Sequence, residues 1–402
     1  MAGELLSVTV LLPCLDEART IEACVRAARG GLEACGQPGE VLVADNGSRD
    51  GSQDLARRAG ARVVTVARRG YGAALRGGIA AARGQRVVMA DSDGSYDLRH
   101  VPRVVAALDA GAEIVLGNRF RGGIAPGAMP WLHRWVGNPV LSCVGRAVSG
   151  AAVGDFHCGL RGVRRDDVLR LGLRADGMEF ASEMILTAAA HGLRIVEVPT
   201  TLAPDGRDRP PHLRTWRDGW RHLRLLLLLA PRWLFLYPGA AAAVAGGLLV
   251  AMLAPGPVRV GGVMFDVHTM LLGAALLAVG LQGVLLAVIA EAYGAAVGLW
   301  PTSSSRRALL DGWSVERGLI AGGALVTAGV GVALAETMWW ADAGFGPLDV
   351  FRRDLILAVV AMVTGSQVAS AGFLVGLARL GLERMDEPGP PPWAEWTPDE
   401  RG

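Results

Sequence analysis

Apolar and polar positions follow two different rules along this chain. Up to about Thr201 charged and apolar residues are mixed as in a globular domain, and short apolar runs recur at intervals. Val8–Leu12, Val41–Ala44, Val63–Val66, Val87–Ala90 and Ile114–Leu116 predict buried strands. Glu17–Cys35, Gly51–Ala59, Tyr71–Arg83 and His100–Ala110 predict the helices between them. Continuous apolar strands joined by crossover helices imply an α/β domain with a mostly parallel, doubly wound sheet. Ligands of such sheets bind beyond the carboxyl ends of the strands, so the turns after the strands are where chemistry is expected.

Beyond Leu225 the pattern changes to long apolar runs. Crossing about 30 Å of hydrocarbon takes roughly 20 residues. Four stretches reach that length, near Trp233–Ala254, Met270–Ala290, Gly318–Ala335 and Leu355–Ala378, each expected to be free of charge in its interior. Gln282 and Gln367 fall mid-span and read as interhelical hydrogen-bonding residues. Between the halves, Leu213–Ala230 carries Arg214, Arg217, Arg221 and Arg224 at helical spacing with Trp216 and Trp220. That pattern predicts a helix lying in the headgroup layer, with Pro231 breaking it from the first span. The plainer alternative is the cytoplasmic end of a long first span. The organisation expected is therefore a catalytic domain over 1–212, an interfacial helix over 213–231, a four-span region over 232–380 and a disordered tail over 381–402.

Composition agrees with a membrane protein: 51% of the 402 residues are hydrophobic and mean hydropathy is +0.34. Net charge is only +2, which gives no sign of a nucleic-acid partner. All 40 basic residues are arginine. The five cysteines form no metal-like C-x-x-C pair, and reduced thiols in the cytoplasm are expected. The opening residues have neither a basic nor a long apolar segment, so a cytoplasmic catalytic domain is expected. Arg306, Arg307 and Arg317 in the loop after the second span agree with that orientation, and four spans return the C-terminus to the cytoplasm.

The strand ends are rich in carboxylates. Pro13-Cys14-Leu15-Asp16-Glu17 follows the first strand, Asp45-Asn46-Gly47-Ser48-Arg49-Asp50 the second, and Asp91-Ser92-Asp93 the fourth. Asp91 and Asp93, one residue apart at a strand end, suit one hard divalent cation, Mg²⁺ or Mn²⁺, whose shell is completed by ligand phosphates. The glycine-rich stretch Gly70–Gly78 is not a dinucleotide fingerprint, because Leu75 stands at its third glycine position. It reads instead as backbone brought close to a nucleotide, with Arg76 offering a fork to phosphate.

Taken together, these turns resemble the inverting family-2 glycosyltransferases of GT-A fold, above all the dolichyl- and polyprenyl-phosphate hexosyltransferases. The resemblance covers roughly residues 7–238. It implies donor contacts to base and ribose from Pro13, Asp16, Glu17, Asp45, Ser48 and Asp50, with Ser92 beside them, and metal binding by Asp91 and Asp93. Gly117-Asn118-Arg119-Phe120, the stretch Asp155–Arg161 and the helix around Glu179 and Glu183 match further motifs of the family. Ser95 stands where mannosyl members often have glutamine. Catalytic roles are expected for Asp93, Arg119 and Arg134, and lipid-phosphate contacts for Arg207, Arg209, His212 and Arg214. Plainer readings stay open: an Asp155–Arg161 ion pair holding the fold, a solvated Glu179/Glu183 face, and His133 with Arg134 as surface residues.

The function implied is transfer of one hexose from a nucleotide-sugar, UDP-glucose before GDP-mannose, to a polyprenyl-phosphate lipid. The expected partners are that donor, that acceptor and membrane lipid, and a homo-oligomer is allowed. A processive polysaccharide synthase would carry Q-x-x-R-W, but Leu229 stands at the glutamine position before Arg232-Trp233. A non-catalytic membrane scaffold is the other alternative, and the complete acidic turns speak against it.

Overall fold

The computed structural model describes residues 6–206, 215–297, 314–345 and 353–386, which fall into two compact units, Met1–Leu229 and Ala230–Gly402. The first unit is built on a seven-stranded sheet: β1 (Val8–Cys14), β2 (Gly39–Asp45), β3 (Arg62–Thr65), β4 (Arg86–Met89), β5 (Ile114–Asn118), β6 (Arg161–Arg164) and β7 (Ile195–Pro199). The order is β3-β2-β1-β4-β6-β5-β7. β1 pairs in parallel with both β2 and β4, Val10 lying beside Val41 on one side and Val88 on the other. β2 with β3 and β5 with β7 are parallel as well.

Both faces of this sheet are covered, which is why its central parallel strands are mostly apolar. Val8, Val10 and Leu12 pack toward α1 (Ile21–Cys35) and α4 (Val101–Asp109) through Ile21, Val25, Val104 and Leu108. Leu11 and Leu42 point the other way, toward α3 (Tyr71–Ala81) and α8 (Phe180–Ala190), where Ile79, Phe180 and Met184 are fully buried. Burying a side chain of this size contributes about 1.5–3 kcal/mol. The remaining helices of this unit are α2 (Ser52–Arg58), α5 (Arg119–Gly122), α6 (Asn138–Ser149), α7 (Arg165–Arg170) and α9 (Thr215–Leu228).

β6 departs from the parallel pattern. It runs antiparallel between β4 and β5, and its four residues Arg161-Gly162-Val163-Arg164 carry no apolar run. It persists in the middle of the sheet because its arginines are satisfied internally. Arg161 donates to the carbonyls of Cys158, Ala181 and Phe156 at 2.8, 2.7 and 2.7 Å. Gly162 leaves room for Val104, whose Cγ1 lies 2.2 Å from where a Cβ would stand.

The second unit contains four helices long and apolar enough to cross a membrane: Arg232–Leu253, Val267–Ala296, Val315–Asp342 and Arg353–Leu380. The first joins a π turn at Arg232–Leu236 to α10 (Tyr237–Leu253). The others are α11 (Val267–Ala296), α12 (Val315–Asp342) and α13 (Arg353–Asp386). Glycines let backbones touch: a Cβ on Gly246 would sit 2.3 Å from Leu277 N, and one on Gly322 would sit 2.4 Å from Gly365 O. Close approach through small residues is the usual way membrane helices pack. The Gln367 side chain donates to Ala278 O at 3.4 Å, an interhelical contact.

The helices run on past the expected stretches, α11 beyond Ala290 to include Glu291 and α12 beyond Ala335 to include Glu336. Glu291 is tolerated because Arg232 clasps it with two hydrogen bonds, one of 3.1 Å. The stretch after the first span forms a hairpin of β8 (Val258–Val260) and β9 (Val263–Phe265), turned by Gly261 and Gly262 at φ +55° and +84°. Two positive φ values suit the tight two-residue turn that glycine pairs favour.

Candidate active site

The turns that follow β1, β2 and β4 are tied to one another by their side chains. Asp16, at φ +56°, donates its backbone N–H to Ser48 Oγ at 2.9 Å, and its carboxylate accepts from Arg49 N at 2.7 Å. Glu17 N–H donates to Ser52 Oγ at 2.8 Å, and Ala18 N–H to Asp50 at 2.9 Å. Asp50 also accepts from Ser52, and these bonds outweigh its partial burial and hold its carboxyl below the usual range. Asp45 is fully buried, its Oδ2 accepting from Gly47 N and Gln53 Nε2 at 3.0 and 2.7 Å. Asp45 thus shapes its turn from within. Asp16, Ser48 and Asp50 pin the first turn to the second.

Asp91 and Asp93 stand just past β4. The Tyr71 hydroxyl donates to Asp91 Oδ1 at 2.8 Å. A Cβ on Gly159 would come within 2.6 Å of Asp91 Oδ2, so that glycine lets the loop before β6 close over the carboxylate. Tyr96 holds this loop, its hydroxyl oxygen accepting from Gly159 N at 2.7 Å. Asp93 Oδ1 accepts from Ser95 N and Ser95 Oγ at 2.9 and 2.6 Å. Ser92 turns the other way, its hydroxyl donating to Pro13 O at 2.5 Å while Thr20 Oγ1 donates to its carbonyl at 2.7 Å.

This donor set fits a hard divalent ion whose shell is completed by non-protein oxygens. Among the described residues no cluster of three or more His, Cys, Asp or Glu forms a metal cage. Two carboxylates oriented by hydroxyl donors, with further positions left to phosphate oxygens and water, is the arrangement Mg²⁺-type sites use.

Arg76 and its glycines differ from expectation. The Arg76 guanidinium pairs with Asp176 and donates to Leu173 O at 3.1 Å, so it is not offered as a fork to phosphate. The glycines serve protein packing: a Cβ on Gly72 would lie 2.4 Å from Ala175 O, and one on Gly78 2.3 Å from Leu11 Cδ1. Asp176 is a hundred residues away in sequence, and only the folded loop brings it to Arg76.

Arg119 is buried beside Asp155, with Nε to Oδ2 and Nη2 to Oδ1 both at 2.7 Å. The structural ion pair of Asp155 is therefore with Arg119, and Arg161 binds carbonyls instead. His133 lies near Arg119, and burial, then that charge, push its pKa down. Arg134 stacks over the Trp135 ring, 5.3 Å from its centroid. Glu183 accepts from Arg174 N and Ala175 N at 2.9 and 2.8 Å, bracing the loop that holds Arg76. Arg207, Arg209, His212 and Arg214 lie outside the described residues.

The sequence compared with known families matches the model for glycosyl transferase family 2 over residues 9–172. It is 35% identical over 375 residues to the low-salt glycan biosynthesis hexosyltransferase of Haloferax volcanii, covering 92% of this chain and 88% of the relative. The chain belongs to glycosyltransferase family 2. A second model, the family 2 C-terminal transmembrane region, matches residues 288–379, so this family-2 glycosyltransferase is a membrane protein with a GT-A catalytic domain. It is also 31% identical to a dolichyl-phosphate hexose transferase of Haloferax volcanii, over 40% of this chain and 68% of the relative. To an undecaprenyl-phosphate 4-deoxy-4-formamido-L-arabinose transferase of Salmonella paratyphi A it is 27% identical, over 42% of this chain and 53% of the relative.

Several contacts that shape the glycosyltransferase site carry no signal in the sequence. Tyr71, Tyr96 and Gly159 act on Asp91 from three separate segments. Asn46 ties the second and third turns together, donating to Arg68 O and accepting from Gly70 N, both at 2.7 Å. A buried polar cluster joins α8 to α9, where Ser182 Oγ lies 2.9 Å from His222 Nδ1 and 3.4 Å from His157 Nε2. The two imidazoles meet edge to face at 4.6 Å.

Proposed function

We propose that this chain transfers a single hexose from a nucleotide-sugar to polyprenyl phosphate, with inversion, at the cytoplasmic face of the membrane. The observation that carries this reading is the pair of carboxylates past β4, each oriented by a neighbouring hydroxyl, in a chain that anchors itself in the bilayer. UDP-glucose is the favoured donor and GDP-mannose the next. Relatives named for dolichyl-phosphate and undecaprenyl-phosphate substrates support the acceptor class.

In this reading the turns bearing Pro13, Asp16, Glu17, Ser48 and Asp50 receive the base and ribose, with Asp45 and Ser92 supporting them from below. Asp91 and Asp93 are the residues that would hold Mg²⁺ or Mn²⁺, which supplies neutralising charge for the departing diphosphate. A phosphomonoester has its second pKa near 6, so at neutral pH much of the acceptor is already dianionic and needs no general base. The protein's task is to position two anionic groups around one carbon. Arg119 leaves Nη1 turned away from Asp155, and Arg134 sits on a neighbouring segment. These two, with Arg207, Arg209, His212 and Arg214, are assigned to the acceptor side. Arg76 is not part of this set.

The test uses membranes bearing the full chain, undecaprenyl phosphate and labelled nucleotide-sugars. The expected product is one lipid carrying one hexose, from UDP-glucose before GDP-mannose, and Asp93→Asn is expected to abolish it while the protein stays folded. Longer glycans on the lipid would replace this reading with a processive synthase. Absence of product with every donor would leave a scaffold.

A further inference from the structure

One carboxylate lies inside an otherwise apolar strand. β7 reads Ile195-Val196-Glu197-Val198-Pro199, and the Glu197 side chain is only 6% exposed. A buried carboxylate is costly unless hydrogen bonds satisfy its oxygens. Glu197 finds its donors on the two segments that carry Arg119 and Asp155. Its Oε1 accepts from Gly154 N at 2.7 Å and from Asp155 N at 3.0 Å. Its Oε2 accepts from Asn118 Nδ2 at 3.1 Å. Arg121, largely exposed, adds a longer contact at 4.0 Å.

The local structure permits this approach. β7 runs parallel to β5 with Glu197 beside Leu116, close to the end of β5, where Asn118 and Arg119 turn into α5. Asn118 serves both sides. Its Oδ1 accepts from Arg121 N at 3.0 Å and caps α5, while its Nδ2 reaches Glu197. Gly154 leaves the space open, since a Cβ there would lie 2.7 Å from Asn118 Nδ2. The contacts close into a ring. Glu197 holds the residue before Arg119 and the amide of Asp155, and Asp155 grips Arg119 through N, Nε and Nη2.

We propose that Glu197 is a positioning residue for the transfer reaction: given the acceptor-side role assigned to Arg119, it fixes the Arg119–Asp155 pair so that Nη1 is presented to the acceptor phosphate. A guanidinium–carboxylate fork is planar and directional, yet it orients the arginine only when the carboxylate is itself held. Glu197 supplies that hold from both flanks. Its oxygens are committed to protein donors, so it acts through Arg119 and not on the substrate. An ionised carboxylate suits the place because it only accepts, whereas an amide has one accepting oxygen and one donating nitrogen. An amide oxygen at 197 would still serve Gly154 and Asp155, but its nitrogen would face the Asn118 amide donor. Turning the Asn118 amide round would relieve that conflict and forfeit the cap on α5.

The test varies polyprenyl phosphate and nucleotide-sugar separately on the purified full chain. It compares Glu197→Gln, Asn118→Asp, the double variant and Arg119→Gln. Glu197→Gln is expected to raise the acceptor KM about tenfold, the effect of leaving one buried donor unmatched, with donor KM and kcat little changed. Asn118→Asp sets two carboxylates face to face at the same contact and is expected to act in the same direction, so either single variant reads it. The double variant gives every donor an acceptor again and is expected to return the acceptor KM to near the wild-type value. An acceptor KM unchanged in both single variants, while Arg119→Gln raises it, would overturn the positioning role and leave Arg119 on the acceptor side. Equal loss toward donor and acceptor, not restored in the double variant, would also overturn it by making Glu197 a support of the fold alone. An acceptor KM unchanged by Arg119→Gln would remove Arg119 from the acceptor side, and the role of Glu197 with it.

Discussion

Tyr71 and Asp91 meet across the mouth of the sheet, the phenol donating to Oδ1 of the carboxylate at 2.8 Å. Burial, then the Asp91 charge, hold the Tyr71 hydroxyl protonated well above the usual phenol range, so it remains a donor at any physiological pH. Partners of this type fix the orientation of metal-binding carboxylates, and their removal typically costs about 10–100-fold in metal affinity. Tyr71→Phe is expected to raise the Mn²⁺ concentration needed for half-maximal nucleotide binding by that factor. An unchanged metal titration would separate Tyr71 from the site.

Arg119 and Asp155 form a buried pair in which each is the other's main partner. Removing one member of such a pair leaves an uncompensated charge and costs about 3–5 kcal/mol. Asp155→Ala is expected to lower the unfolding free energy of the detergent-solubilised protein, read by denaturant titration, by an amount in that range. Lost transfer activity with unchanged stability would instead make Asp155 a substrate-side residue.

Burial makes three of the cysteines unreactive. It raises the thiol pKa to about 11 at Cys14 and to about 12 at Cys24 and Cys158. Maleimide treatment of the folded protein at pH 7.5, read by mass spectrometry, is expected to leave these three unmodified, whereas denaturant exposes all five cysteines. Early labelling of Cys158 would mean that the loop over Asp91 opens in solution.

His157 is held neutral by burial first, and then by His222, Arg119 and Arg161. Its folded pKa lies below the unfolded value of about 6.5, so the unfolded chain binds the extra proton. Stability is then complete above that pH and falls as the pH drops below it, by up to about 1.4 kcal/mol per pH unit for one proton. Thermal melting between pH 7.5 and 5.5 is expected to show this slope, and His157→Asn to flatten it. An equal slope in the variant would assign the effect to other groups.

The parallel part of the sheet was readable because burial on both faces demands unbroken apolar strands, as in Val8–Leu12. The spans were readable because a bilayer sets a minimum length. β6 was not, since Arg161 and Arg164 look like surface residues until their carbonyl acceptors are known. The β8–β9 hairpin had a signal that passed unread, a Gly261-Gly262 pair between short apolar segments. Asp91 and Asp93 stand out through their one-residue spacing at a strand end. Tyr71 and Gly159 do not, because their influence on Asp91 depends on contacts across 20 and 68 residues of sequence. The partner of Arg76 has the same character, Asp176 being invisible to any local pattern.

The central place of β6 also sets the order in which this sheet is able to close during synthesis. β4 and β5 leave the ribosome first, each with its inner edge open, and remain so until Arg161–Arg164 arrives to zip between them. A nascent chain stalled before that point carries unpaired edges that invite other chains. β7 completes the sheet at Pro199, and the first membrane-spanning stretch begins only at Arg232. The catalytic sheet therefore emerges whole ahead of the segment that commits the chain to the membrane.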